Sequence, residues 1–159
     1  MSLHWPEHLD GIIEEFKDCF DSMERYELLF DYAKNNPNPL PIEEWTEENQ
    51  ILGCQSRAHV ICSLDEGGLF LLKAGADAQI VQGLMSITAI AVNGLEPIEV
   101  SKLTPAYIEE MGLKAALSPN RANGFLNMFN RVIKEAKICL LYISPSPRDR
   151  TRSRMPSSA

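Results

Sequence analysis

Ala58-His59-Val60-Ile61-Cys62-Ser63-Leu64-Asp65-Glu66-Gly67-Gly68-Leu69-Phe70-Leu71-Leu72 is the stretch whose reading decides the fold. Ala58, Val60, Cys62 and Leu64 fall on one side of a two-residue period, with His59, Ile61 and Ser63 on the other, which is the pattern of a strand. Asp65-Glu66-Gly67-Gly68 carries turn chemistry, and Leu69-Phe70-Leu71-Leu72 reads as the returning strand. The prediction is an antiparallel hairpin.

Outward from the hairpin the period lengthens to that of helices. After it, residues from about Ala76 to Asn93 form a helix closed by Gly94. Ile80, Val81, Leu84, Met85, Ile87, Ile90 and Val92 make it apolar on nearly every side, so it must be central. Gly83 inside it lowers helix propensity by about 1 kcal/mol, which predicts a close neighbour there. Before the hairpin, Leu9, Ile12, Ile13, Phe16 and Phe20 share one helical face. Asp21 and Glu24 have the spacing of a capping box opening a second helix, with Tyr26, Leu29, Phe30 and Ala33 on its stripe and Asn35-Asn36-Pro37 at its end. Residues 36–49 form a long polar connection. Pro97, Pro105 and Pro119 each suit the first turn of a further helix, the last two preceded by Thr104 and Ser118, and Gly112 stops the middle one. The final stripe is Phe125, Met128, Phe129, Val132, Ile133 and Ala136. The expected class is α+β: a small antiparallel sheet packed on a central buried helix, with amphipathic helices around them.

At 159 residues and 45% hydrophobic, the chain can build one domain with a core. No run approaches the ~18 apolar residues of a membrane span, and the N-terminus has no signal-peptide pattern, so a cytoplasmic location is expected. Four cysteines (Cys19, Cys54, Cys62, Cys139) without C-x-x-C spacing read as free thiols. The net charge is −7; Arg148, Arg150, Arg152 and Arg154 against Asp149 place +3 beyond residue 138 and leave −10 before it. An acidic body disfavours nucleic acid and suits a basic protein partner. Cys139-Leu140-Leu141-Tyr142-Ile143-Ser144-Pro145-Ser146-Pro147-Arg148-Asp149 resembles the conceptual translation of a sequencing adapter. Residues 1–138 are therefore read as the domain, and 139–159 as a non-native, disordered tail.

Among the thiols, Cys54 stands apart. It lies in Gln50-Ile51-Leu52-Gly53-Cys54-Gln55-Ser56, after a glycine and before small polar residues, just ahead of the first strand. Cys62 alternates with core positions and Cys19 sits between helix-face positions, so both read as inert. Arg57, Ser56, backbone N–H groups or a partner's groups are candidates to favour the Cys54 thiolate, and His59 lies five residues on. Asp77 is expected to cap or charge the N-terminus of the central helix. Arg121, early in the last helix, either docks a partner or makes a structural ion pair.

Three blocks then resemble the SufE family. Gly53-Cys54-Gln55-Ser56 is similar to its reactive-cysteine segment, Ala74-Gly75-Ala76-Asp77-Ala78-Gln79-Ile80-Val81-Gln82-Gly83-Leu84 to the segment opening its central helix, and Leu117-Ser118-Pro119-Asn120-Arg121-Ala122-Asn123-Gly124-Phe125 to the one opening its last helix. Their order and spacing match over residues 9–137. The resemblance implies a fold shared with IscU scaffold proteins and a role for Cys54 as acceptor of sulfane sulfur. The donor it implies is a PLP-dependent cysteine desulfurase of the SufS kind, and the recipient a SufB-containing scaffold complex. No cofactor of its own is expected, since PLP belongs to the desulfurase. Gly53, Gln55, Ser56, Arg57, His59 and Arg121 are the expected partner-binding residues. Ala58-His59 departs from the Val-Trp common in the family. The related Csd system has a similar domain, and Gln55-Ser56 leans toward SufE. A homodimer is left open.

Two other classes fit the residues less well. A scaffold of the IscU type binding metal directly needs three or four converging ligands, whereas His59 and Cys62 face opposite sides of one strand. A cysteine hydrolase has only His4, His8 and His59 to draw on, with no orienting partner in the sequence.

Overall fold

The hairpin forms as expected, with Leu69 left before the returning strand, which starts at Phe70. In the computed structural model, which describes residues 6–51, 57–113 and 117–143, β1 (Ala58–Leu64) pairs antiparallel with β2 (Phe70–Ala76). The pairs include Ala58 with Ala76, His59 with Gly75 and Cys62 with Leu72. The helices are α1 (Glu7–Lys17), α2 (Ser22–Lys34), α3 (Gln79–Val92), α4 (Pro97–Ser101), α5 (Tyr107–Glu110) and α6 (Pro119–Ile143). This is the α+β arrangement that the periodicity implies.

β2 is longer than expected. It continues through Lys73, Ala74 and Gly75 to Ala76, and α3 begins only at Gln79. Small residues of weak preference occupy that overrun, and cross-strand hydrogen bonding holds them extended against their propensity. As expected, α3 is central: Val81, Leu84, Met85, Ile87, Ala89 and Val92 are all buried, and the helix packs on α1, α2, α6 and β2. A Cβ on Gly83 would sit 2.5 Å from the Leu29 carbonyl oxygen, so the missing side chain is what lets α2 lie against α3. Thr88 inside α3 donates to the Leu84 carbonyl or shares a 2.7 Å bond with the Tyr107 hydroxyl, which satisfies both buried groups.

The surrounding helices follow their stripes with three corrections. Phe20 does not continue the α1 face. The helix stops at Lys17, so Phe20 falls in the turn before α2 and is 90% exposed. Asp21 caps α2 by accepting from the Glu24 N–H, while Glu24 reaches back to the Phe20 N–H instead of the Asp21 N–H. α5 starts at Tyr107, behind a turn at Pro105, with Ala106 in place of Thr104 at its N-terminal boundary. Gly94 and Gly112 end their helices with φ of 86° and 74°, a conformation that favours glycine. α6 runs through Ile143, past the boundary expected at 138, and Cys139 packs against the core. Residues 144–159 lie outside the described residues.

Two short segments flank the hairpin and protect its edges. On the β2 side, Ala74 donates to the Asn38 carbonyl and accepts from the Leu40 N–H, a parallel bridge. On the β1 side, Asn49 accepts from the Val60 N–H and Ile51 donates to the Ala58 carbonyl, an antiparallel bridge centred on Gln50 and His59. The polar connection of residues 36–49 is therefore bound to the sheet at both ends.

Candidate functional site

The bridge on the β1 side defines the place. The 2.7 Å bond from the Ile51 N–H to the Ala58 carbonyl closes a neck from which the chain departs toward residue 52 and to which it returns at Arg57. Gly53, Cys54, Gln55 and Ser56 lie between, outside the described residues. What surrounds the neck is defined.

The returning limb is fixed by Arg57 and Asp77. The Arg57 N–H donates to Asp77 Oδ1 at 3.0 Å, the Asp77 N–H donates to the Arg57 carbonyl at 3.0 Å, and the guanidinium Nε stands 3.7 Å from Asp77 Oδ2. Asp77 thus serves β1 and not the helix it precedes: α3 has Ala78 at its N-cap and no side-chain cap. The Arg57 guanidinium also lies 5.0 Å from the centre of the Trp45 ring, within cation–π range.

Trp45 is the pivot of the site. Its ring stacks on His59 with centroids 4.6 Å apart, and its Nε1–H donates to the Leu40 carbonyl at 3.0 Å. His59 is accordingly buried, although the strand period puts it on the face opposite Val60. Asn49 completes the cluster. Its Nδ2 donates to the Glu44 carbonyl and its Oδ1 accepts from the Thr46 N–H, which fixes the amide orientation. Oδ1 then faces His59 Nδ1 at 2.7 Å, so Nδ1 carries the proton. Burial pushes the imidazole pKa down, opposed by a backbone hydrogen bond at Thr46. His59 is a neutral, engaged side chain that holds the residues before the neck to β1.

The outgoing limb is held from the other side by α6. Arg131 donates from one terminal nitrogen to the Glu48 carbonyl at 2.7 Å and from the other to the Gln50 carbonyl at 3.4 Å, while its Nε donates to Glu135 at 3.1 Å. Arg121 is elsewhere. It is exposed, its N–H meets Ser118 Oγ, and it lies ten residues, about 15 Å, along α6 from Arg131. The structure therefore brings Arg57 and His59 to the neck and does not bring Arg121.

Grooves adjoin both limbs: one of about 400 Å³ bordered by Lys34, Leu40, Trp45, Arg57, Asp77 and Gln82, and one of about 270 Å³ bordered by Thr46, Asn49, Cys62, Arg131 and Glu135. An apolar hollow between α5 and α6, at Pro105, Ile108, Phe125 and Leu126, is bordered by none of Arg57, His59 and Arg121, the described members of the expected set. The three described cysteines are poor nucleophiles. Burial, then Glu135, pushes Cys62 up to about 12, and burial raises Cys19 and Cys139 as well.

Trp45, Asn49, Asp77 and Arg131 are the site residues that pattern reading misses or misassigns. Trp45 and Asn49 sit in a stretch without period, and Arg131 bonds to a segment more than 80 residues away. Only Asp77 leaves a signal, since it falls within a block resembling a family motif.

Comparison with known proteins agrees with this picture. Residues 10–136 match the model of the family described as "SufE: Fe-S metabolism associated domain". An uncharacterized SufE-like protein of Synechocystis is 37% identical over 131 residues, covering 82% of this chain and 81% of that one. SufE-like protein 1, chloroplastic/mitochondrial, of Arabidopsis thaliana is 32% identical over 131 residues, but the match spans only 35% of that longer protein. The solution structure of a hypothetical protein from Thermus thermophilus superposes with a TM-score of 0.73 at 24% identity, over 87% of this chain and 99% of that one. That last likeness shows the fold.

Proposed function

The chain belongs to the SufE family, associated with iron–sulfur metabolism, and on that premise we propose that Cys54 is a sulfur-relay thiol. The Cys54 thiolate attacks the terminal sulfur of a persulfide on a SufS-like cysteine desulfurase. The sulfur–sulfur bond of that persulfide breaks, the desulfurase cysteine leaves as a thiolate, and a persulfide forms on Cys54 with no net oxidation. The desulfurase turns over faster because its cysteine is freed. The sulfur then passes to a SufB-type scaffold complex by a second exchange of the same kind. Carbon–sulfur cleavage and PLP belong to the desulfurase, so this chain needs only a presented thiol. The proposed setting is the cytoplasm; among the described residues no helix is long and apolar enough to cross a membrane.

The observation that supports this reading best is the neck. In the sequence Cys54 falls between two limbs that are each tied to the sheet, with Arg57 at the return and grooves beside the limbs. On this reading an anionic persulfide on a partner approaches the Arg57 guanidinium, which is held beside Asp77 and the Trp45 ring. The alternative of direct cluster assembly requires converging ligands. His59 is buried and stacked under Trp45, and Cys62 lies on the other face of β1 beside Glu135, so the two do not converge.

The test is mass spectrometry of the protein after incubation with a SufS-type desulfurase, PLP and cysteine. A gain of one sulfur on the Cys54 peptide, absent in Cys54→Ser and removed by reductant, is the expected result. No gain with an active desulfurase would overturn the relay. Anaerobic incubation with iron and sulfide giving a coloured, bound cluster would support the scaffold reading in its place.

A further inference from the structure

The segment approaching Cys54 is a turn over residues 47–49 followed by a single bridge from Gln50 to His59. The Asn49 carbonyl and the Ile51 N–H point at β1 and are bonded to it. The Gln50 N–H turns back to the Glu47 carbonyl at 3.4 Å, and the carbonyls of Glu48 and Gln50 are not bonded to β1. Those are the two carbonyls that Arg131 holds. A planar guanidinium suits this work because its donors diverge from one rigid plane, and Glu135 fixes the plane by accepting from Nε. The neighbouring apolar residues Met128, Val132 and Ala136 are buried and dock α6 without help from the guanidinium. The charged group is therefore free of any duty in the core.

We propose that Arg131 is a positioning residue for the Cys54 thiol: through Glu48 and Gln50 it sets the point and direction from which the chain sets out toward residue 54. This rests on the relay reading for its purpose, but not for its geometry. Hydrogen bonds from β1 fix one side of the outgoing limb and Arg131 fixes the other, so loss of the guanidinium leaves the limb attached and free to tilt. Transfer between two thiols depends on aligning three sulfur atoms, which makes it sensitive to such a tilt.

The experiment uses the full chain with Arg131→Met, which keeps the stem and removes every donor, and Arg131→Lys, whose single ammonium cannot span both carbonyls. Two rates are measured: alkylation of each cysteine by iodoacetamide, resolved by peptide mass spectrometry, and sulfur uptake from a SufS-type desulfurase at saturating acceptor. In Arg131→Met the Cys54 alkylation rate is expected to change by more than about threefold while Cys19, between α1 and α2, keeps its wild-type rate. Sulfur uptake is expected to fall roughly tenfold, with Arg131→Lys between the two. An unchanged Cys54 alkylation rate in Arg131→Met overturns the positioning role, whatever uptake does. Equal acceleration of Cys54 and Cys19 also overturns it, because that marks general loosening. Wild-type protein that takes up no sulfur from an active desulfurase refutes the relay reading instead, and the alkylation comparison still decides the role of Arg131.

Discussion

Gly75→Ala tests whether the hairpin and the site are one mechanical unit. Gly75 pairs with His59 across the sheet, and a Cβ added there would meet the Leu40 carbonyl oxygen at 2.4 Å and Trp45 Nε1 at 3.1 Å. Real Cβ contacts do not fall below 3.0 Å, so the carbonyl must retreat by about 0.6 Å. It is not free to do so, because the Leu40 N–H is bonded to Ala74 at 2.9 Å on the neighbouring rung. Overpacking of this kind costs ~1–3 kcal/mol. The Trp45–Leu40 hydrogen bond is strained with it, worth about 1 kcal/mol, and the entropy gained by replacing a strand glycine returns ~0.5–1 kcal/mol. The net expectation is a loss of about 2 kcal/mol, read from urea unfolding of both proteins. Trp45 must shift from His59 and Arg57, so its emission should change in a Trp5→Phe background where it is the sole tryptophan. Gly67→Ala is the control: its Cβ would meet only Asp65 Oδ1, at 3.5 Å, and the change should stay within about 0.5 kcal/mol. Wild-type stability in Gly75→Ala with unaltered Trp45 emission would refute the close packing of residues 40, 45 and 75.

Three further outcomes follow from the same cluster. Asn49→Ala strips partners from His59, Thr46 and Glu44 together and should lower stability by about 2–3 kcal/mol in thermal or urea melts; a loss under about 0.5 kcal/mol would show that the hub is dispensable. Because burial lowers the His59 pKa below its ordinary 6.5, the unfolded chain binds the proton first on acidification. Its contribution to stability is complete above that value and declines as pH falls through it, with a slope of at most about 1.4 kcal/mol per pH unit, and His59→Gln should remove that part of the slope. Cys62, pushed up to about 12, should react with iodoacetamide at pH 8 at least roughly tenfold more slowly than Cys19, and equal rates would contradict its burial.

The hairpin, the central helix and the close contact at Gly83 are all legible in the sequence, because each depends on neighbours in the chain or on a pattern repeated within one element. Phe20 escapes such a reading because a helical face says nothing of where the helix stops; capping at Asp21 decides that. The end of β2 escapes it because Ala74, Gly75 and Ala76 have no strand preference of their own and are held by bonds to residues 38, 40 and 58–60. Within the site, Arg57 is legible as a cation three residues after Cys54 in the sequence. The burial of His59 is not, since it is produced by an indole fourteen residues earlier in a segment of no regular period. Arg121 draws attention through a motif, whereas Arg131, in an ordinary polar position of the same helix, reaches the limb. Carbonyl acceptors carry no side-chain signature, so an arginine that serves them is invisible in the sequence.

The closed neck also acts as a tether of known length. Three steps along the chain lead from Ile51 to Cys54, and an extended chain covers about 3.3–3.6 Å in each, so the Cys54 backbone is confined within roughly 11 Å of Ile51. On the proposed relay reading, a docking enzyme must bring its sulfur to a thiol whose backbone stays inside that radius, which limits the faces by which it can approach. Lengthening the tether would enlarge the radius while changing closure entropy by only about 0.6 kcal/mol per doubling. The reach of the thiol and the stability of the domain can therefore vary independently, and a change of partner needs no change of fold.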